Sequence, residues 1–264
     1  MRCAALVLLA AFSANAGEPD WPAKLTPKAP GNFAPLRPFK ANYSFGWMAV
    51  TAGRVEVEFT RTGETSQLKV QGGSAGAARA LWRMDAEAVS TVLNATLLPT
   101  KLVQVERYSD EKRTTTVIFG PEGVERTRVR EPKDKDSGKT KRFKFAPVHD
   151  LHSALLFIRS QNLRKGDIVR LATYPESDGY LAEIEVVGRE KISVAGKQWP
   201  AIKLALRLKR ISKRLELESH KKFKSASAWL SDDADRLLLK IDADVMVGKV
   251  WMDLQQIDFT TPQR

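Results

Sequence analysis

From Phe39 onward, apolar and polar positions alternate with a period of two. In Arg54-Val55-Glu56-Val57-Glu58-Phe59, the two valines and Phe59 share one face and the charges take the other. The same pattern recurs at 67–71, 101–107, 114–119, 142–145, 181–187, 202–208, 214–218, 237–241 and 244–252. Strands with one dry and one wet face belong to antiparallel sheets, because parallel strands are covered on both faces and read as unbroken apolar runs. Turn chemistry separates the candidates at Thr62-Gly63-Glu64, Gly120-Pro121-Glu122-Gly123, Ser177-Asp178-Gly179 and Ala195-Gly196. Two segments break the alternation and read as helices packed on the sheet. Residues 74–85 place Ala77, Ala78, Leu81 and Trp82 at helical spacing after a capping serine. Residues 150–161 place Leu151, Ala154, Leu155 and Ile158 on one stripe behind Asp150 as N-cap. The expected fold is mainly β: a curved antiparallel sheet or incomplete β-barrel with one or two short helices packed on it.

The chain before Phe39 is of a different kind. Met1-Arg2, an apolar run over 3–12 and Ala14-Asn15-Ala16 form the three parts of a secretory signal peptide, with cleavage expected after Ala16. The apolar run is about half the ~20 residues a spanning helix needs. Cys3 lies too early in it for lipid attachment, so a protein starting at Gly17 has no cysteine, and periplasmic folding needs no disulfide exchange. Residues 17–38 carry six prolines, which fix φ and remove backbone donors, and so predict an extended strap or spacer. Residues 39–260 then form a single β-rich domain.

Composition adds a charge asymmetry. Of the 264 residues, 43 are Lys or Arg and 31 Asp or Glu, a net charge of +12. The excess sits in two segments: 124–144 has nine basic and four acidic residues, and 203–224 nine basic and two acidic. On strands, Arg126, Arg128 and Arg130 project to one side, and Lys203, Arg207 and Lys209 lie opposite Ile202, Leu204, Leu206 and Leu208. Such rows are either solvated outer faces that block edge aggregation or, if adjacent, a cationic surface for anionic lipid or an envelope polymer. Export argues against nucleic acid. The 131–141 stretch is low in complexity and reads as an exposed, mobile hairpin tip.

Candidate chemistry is sparse. His149-Asp150-Leu151-His152-Ser153 gathers two histidines, a carboxylate and a hydroxyl, which invites a catalytic or metal reading of His149, Asp150 and His152. Neighbours on one turn do not readily place a base between nucleophile and orienter, and the competing reading makes Asp150 a helix cap. Asp232, Asp233 and Asp235 lack the spacing of a calcium loop and read as a turn. No metal and no cofactor is expected. Phe59, Trp82, Phe143, Phe157, Trp229 and Trp251 either fill the dry face or line a concavity there.

Four stretches taken in order carry a family resemblance: Tyr43-Ser-Phe-Gly-Trp47 with Ala52-Gly53; 150–159 with Gly166-Asp167; 187–192; and Trp229-Leu-Ser-Asp-Asp233 with Arg236-Leu237. The chain resembles the bacterial envelope family named as domain of unknown function 3108 over roughly 39–259. It departs from the usual form in the histidines beside Asp150 and in Leu238-Leu239 after the arginine. The resemblance implies a β-rich exported protein and carries no catalytic residue across. The expected function is a periplasmic, non-enzymatic binding or envelope-maintenance protein that takes a lipid or other anionic amphiphile. Its ligand contacts would be Arg126, Arg128, Arg130, Lys203, Arg207, Lys209, Trp82 and Trp229, with peripheral membrane contact. The rivals are a hydrolase of an envelope polymer and a scaffold that meets an envelope partner through its basic face.

Overall fold

The computed structural model describes residues 20–27, 29–220 and 223–260. The signal segment 1–16, Cys3 and the cleavage point lie outside them. In chain order the elements are β1 (Phe39–Trp47), β2 (Val50–Thr62), β3 (Thr65–Ser74), α1 (Gly76–Leu81), β4 (Met84–Leu93), β5 (Pro99–Tyr108), β6 (Lys112–Gly120), β7 (Gly123–Glu131) and β8 (Thr140–Phe143). There follow α2 (Leu151–Ser160), β9 (Ile168–Thr173), β10 (Gly179–Val194), β11 (Lys197–Ile211), β12 (Leu217–Ser219), β13 (Phe223–Ser231), β14 (Leu238–Val245) and β15 (Gly248–Phe259).

All fifteen strands join one antiparallel sheet. Its order is β8-β7-β6-β5-β4-β3-β2-β1-β15-β14-β13-β11-β10-β9, with β12 added to β11. Two meanders are thus zipped through the first and last strands, whose register runs from Phe39↔Phe259 to Trp47↔Val250. Both free edges, β8 and β9, therefore fall in mid-sequence, and residues 144–167 must carry the chain from one to the other. The sheet curls until these edges approach, with Phe143 of β8 packing 5.7 Å from Tyr174 just beyond β9. It remains open. The β8 edge is four residues long, carries Lys141 and Arg142 and follows Lys139. The β9 edge is covered by backbone bonds from His149 to Ala172 (2.9 Å) and from Thr26 to Arg170 (3.0 Å).

Helix α2 lies on this crossing and closes the concavity. Asp150 is its N-cap, accepting the Ser153 amide at 2.7 Å, with Ser90 Oγ of β4 donating to the other carboxylate oxygen at 2.5 Å. One side chain thus starts the helix and ties it to the sheet. Phe157, Ile158 and Ala154 pack with Val169, Ile184, Ile202 and Leu230, while Leu156 joins a second cluster around Phe39, Phe59 and Leu254. The buried arc is turned from the expected stripe: Leu151 is 63% exposed. Leu151 faces solvent, whereas Ser153, Ala154, Leu156, Phe157 and Ile158 turn toward the sheet and strap.

Those later turns are held by arginine. Arg159 donates to the Asp235 carbonyl through Nε and Nη2 (3.1 and 2.9 Å). Arg236 donates to the carbonyls of Arg159 (2.7 Å), Gln161 and Asn162 (3.3 Å), satisfying the free end of the helix. Asp233 Oδ1 accepts from Ser231 Oγ and the amides of Asp235 and Arg236, so the aspartate cluster is a turn. Residues 20–27 and 29–38 run as a strap over α2 and β9. Trp21 is buried with Nε1 on the Leu215 carbonyl, Phe33 lies under Arg236, and Arg37 pairs with Asp235. Gly31 passes so close to Ser160 that a Cβ would collide with its carbonyl.

Several local expectations are corrected. α1 spans six residues and buries none of them, with Leu81 91% exposed, because β3 runs on to Ser74 and β4 starts at Met84. It is a connection at the sheet's end, and no layer lies there for it to pack on. The expected strand at 214–218 is largely a turn with Leu215 at positive φ, followed by β12; that at 244–252 contains the Met246-Val247 hairpin turn. β8 lies two residues earlier than expected. β4, β9 and β13 carry no alternation strong enough to read, since small and polar residues occupy many of their inner positions, such as Ser90 and Ala226.

Deleting the α2 plug side chain tests this packing. Phe157→Ala is expected to cost about 3–5 kcal/mol in urea unfolding, whereas Leu151→Ala stays within about 0.5 kcal/mol. Equal effects at the two positions would contradict the assigned helix orientation.

Candidate functional site

Three features of the molecule bear on function. The first is a cavity of about 370 Å³ under the strap, lined by Pro22, Leu25, Leu98, Phe145, Phe157 and Leu171 among others, with His149, Thr26 and Arg170 as its polar members. A smaller one of about 250 Å³ lies on the other flank of α2, beneath Phe33 and Pro35. The strap roofs both. Leu97 and Leu98, on the loop between β4 and β5, separate them.

Of the His149–Ser153 cluster only His149 lines the larger of these two cavities, and the geometry of the cluster is structural. His149 Nδ1 lies 3.2 Å from Ser153 Oγ, whose hydroxyl also donates to the Asp150 carbonyl, but Ser153 is fully buried. The Asp150 carboxylate is engaged by Ser90 and the Ser153 amide and bonds neither histidine. No nucleophile faces solvent here and no carboxylate orients the imidazole, so the triad reading lacks its geometry. Burial pulls His149 down to about 4, against a smaller opposing pull from Asp150. His152, partly buried, is lowered for the same reason. Among the described residues no group of three histidine, cysteine or carboxylate side chains is placed to hold a metal ion.

The arginine row of β7 is the second feature, and it corrects the expectation of a basic outer face. Arg126, Arg128 and Arg130 point into the curled sheet, opposite Val117, Thr115 and Arg113 of β6. Arg128 donates to Thr115 Oγ1 and pairs with Glu176; Arg130 pairs with Glu111 and Asp134; Arg113 pairs with Glu106 and Glu111. Arg126 differs. It is 5% exposed, forms no ion pair with a described residue, and its Nε has no acceptor. Its guanidinium lies against Tyr174, which shares an apolar cluster with the cavity-lining Phe145 and Ala172. Arg128 is held below its ordinary value, chiefly by burial, with Arg126, Arg113 and Arg130 repelling it against the attraction of Glu176.

The third group lies elsewhere. Lys203, Arg207 and Lys209 are on the outer face of β11, so the two basic segments occupy opposite faces and do not form one cationic surface. Lys203 and Arg207 are paired with Glu190 and Glu185. Trp229 is buried, donates to Glu190 Oε1 at 2.6 Å and has Lys203 and Lys240 over its ring. Trp82 is 49% exposed, 6.5 Å from Tyr108. Arg159 and Arg236 stand in the stretches that carry the family resemblance, but the sequence assigns them no structural role: neither an arginine directly after the buried Phe157-Ile158 pair nor one beside the aspartate turn announces a hydrogen-bonded clamp.

The neutral imidazole is the form that fits the His149 site. As pH falls, the unfolded chain takes up this proton near 6.5 and the folded protein only near about 4, so stability is full above 6.5 and is lost on going down to about 4. The loss is about 3 kcal/mol. Urea midpoints of the wild type are expected to fall between pH 7 and 4, and to fall less steeply in His149→Gln. An unchanged pH slope in the variant would refute a buried neutral histidine.

Comparison with known proteins places this geometry. The structure is similar to a β-barrel-like protein of domain of unknown function DUF1849 from Brucella abortus, at 10% identity and TM-score 0.54, covering 86% of this chain and 99% of that one. A protein from Bacteroides fragilis named as exported, with a YmcC-like fold, aligns at 10% identity and TM-score 0.33 over 87% of this chain and 99% of its own. A protein from Parabacteroides distasonis named as a lipoprotein aligns at 6% identity and TM-score 0.32 over 88% and 100%. No curated protein matches the sequence. Residues 40–255, spanning nearly the whole sheet, match the model described as protein of unknown function (DUF3108), and the chain belongs to that family.

Proposed function

We propose that the protein is exported to the periplasm and there binds an anionic amphiphile without chemically altering it. The observation that carries this reading is the apolar cavity roofed by the strap, linked through Phe145, Phe143 and Tyr174 to the buried guanidinium of Arg126, which has no carboxylate of its own among the described residues. An acyl chain suits the cavity, whose size lies within the range of ordinary ligand pockets. A phosphate or carboxylate head suits Arg126, because a buried cation without a counter-ion is costly until an anion reaches it. The signal peptide supplies the compartment. The hydrolase alternative finds no support in the buried Ser153, and for a basic-face scaffold the inward turn of the β7 arginines leaves the outer β11 row of Lys203, Arg207 and Lys209.

Binding of a fluorescent twelve-carbon fatty acid to the mature chain, with displacement by dodecyl phosphate or by dodecanol, tests the reading. Dodecyl phosphate is expected to displace the probe. Leu98→Arg, which puts a charge in the cavity wall, should weaken binding roughly tenfold or more. Arg126→Met should weaken dodecyl phosphate by a similar factor and leave dodecanol unchanged. Absence of saturable binding to the wild type would overturn the proposal.

A further inference from the structure

At one end of the sheet, large apolar side chains stand in water. Because turns alternate between the two ends of an antiparallel meander, the β1–β2 tip, the α1 connection and the β14–β15 tip share an end. Direct bonds join them: the Met48 amide donates to the Lys249 carbonyl (2.7 Å), Trp47 Nε1 to the Val247 carbonyl (3.0 Å), and the Ala75 amide to the Ala52 carbonyl (2.9 Å). Met48, Val50, Leu81, Trp82, Met246 and Val247 are all exposed there, Val247 at 64%. Scattered apolar residues on a surface are ordinary, but a group on adjacent tips marks an interaction site.

Cations surround the group. Arg54, Arg83, Arg107 and Lys249 are exposed at the same end and form no ion pair with a described residue; the nearby Asp85 is already taken by Arg79. Elsewhere on the molecule most arginines are paired. Trp47 spends its indole N–H on a backbone carbonyl, so its remaining ring surface is apolar, as suits the boundary between headgroups and acyl chains.

We infer that this rim docks the protein on an anionic bilayer, the tips 48–50, 81–82 and 246–247 entering the headgroup boundary and the four cations meeting lipid phosphates. Among the described residues no helix is long and apolar enough to cross a membrane, and the contact is a peripheral one. The inference goes beyond the amphiphile reading and does not depend on the cavity, which lies under the strap.

Cosedimentation of the mature chain with vesicles tests it, using phosphatidylethanolamine with phosphatidylglycerol against phosphatidylcholine alone. The wild type is expected to bind the phosphatidylglycerol vesicles, less so as salt rises, with a blue shift of tryptophan emission. Leu81→Asp with Val247→Asp, and separately Arg83→Glu with Lys249→Glu, should each weaken binding roughly tenfold or more. All four positions are exposed, and circular dichroism confirms that the variants fold. Wild type left in the supernatant with both vesicle types, or variants that bind as well as wild type, would overturn the inference. Self-association lost in Leu81→Asp/Val247→Asp without vesicle binding would also overturn it, assigning the rim to a second copy of the chain.

Discussion

The pairing of β1 with β15 is the constraint on which the rest of the molecule depends. With the two ends of the domain zipped together in the middle of the sheet, each meander runs outward, and both exposed edges arrive in mid-chain. The single crossing segment between them must then bridge the opening of the curl. α2 occupies that crossing, and both its ends are held by side-chain hydrogen bonds. Asp150 and Ser90 fix the start, and Arg159 and Arg236 fix the finish. The ordered motifs of the family, from 150–159 and from Trp229 to Arg236, are in this protein the parts of one clamp.

Inside the curl, buried charge is handled in two ways. Arg159 and Arg236 are buried, but Arg159 donates twice to the Asp235 carbonyl and Arg236 donates to three carbonyls, so desolvation is offset by hydrogen bonds; Arg159 is nonetheless pulled down to about 10, mainly by burial with Arg236 adding repulsion. Arg126 sits among valines and a tyrosine with its Nε unmet. A net hydrogen bond is worth about 0.5–1.5 kcal/mol, and an unmet buried donor costs about 1–3 kcal/mol. That imbalance separates the arginines that hold the end of α2 from Arg126.

The proline-rich strap roofs the two cavities and covers the β9 edge. At the tips of β1–β2 and β14–β15, short hairpins and α1 leave apolar side chains in solvent, beside cations that form no ion pair with a described residue.

Much of the fold was legible residue by residue. Alternation marked the long strands, since one face of each meets a core and the other meets water. Asp150 announced the cap because a short oxygen-bearing side chain satisfies free amides at that position, and Gly196 and Gly123 announced hairpins through positive φ angles that most residues avoid. What the local pattern did not hold was the choice of face where both are polar. In β7, one row is Val124, Arg126, Arg128 and Arg130, and the other is Glu125, Thr127, Val129 and Glu131. Neither is dry, so the inward turn of the arginines was decided by Val117 and Thr115 on the neighbouring strand. Leu81 shows the converse: its helical spacing promised burial, but the strand order leaves no layer above it. Period and cap chemistry are properties of a few consecutive residues, whereas the side of a sheet that closes and the tips that stay uncovered depend on partners far away in the chain.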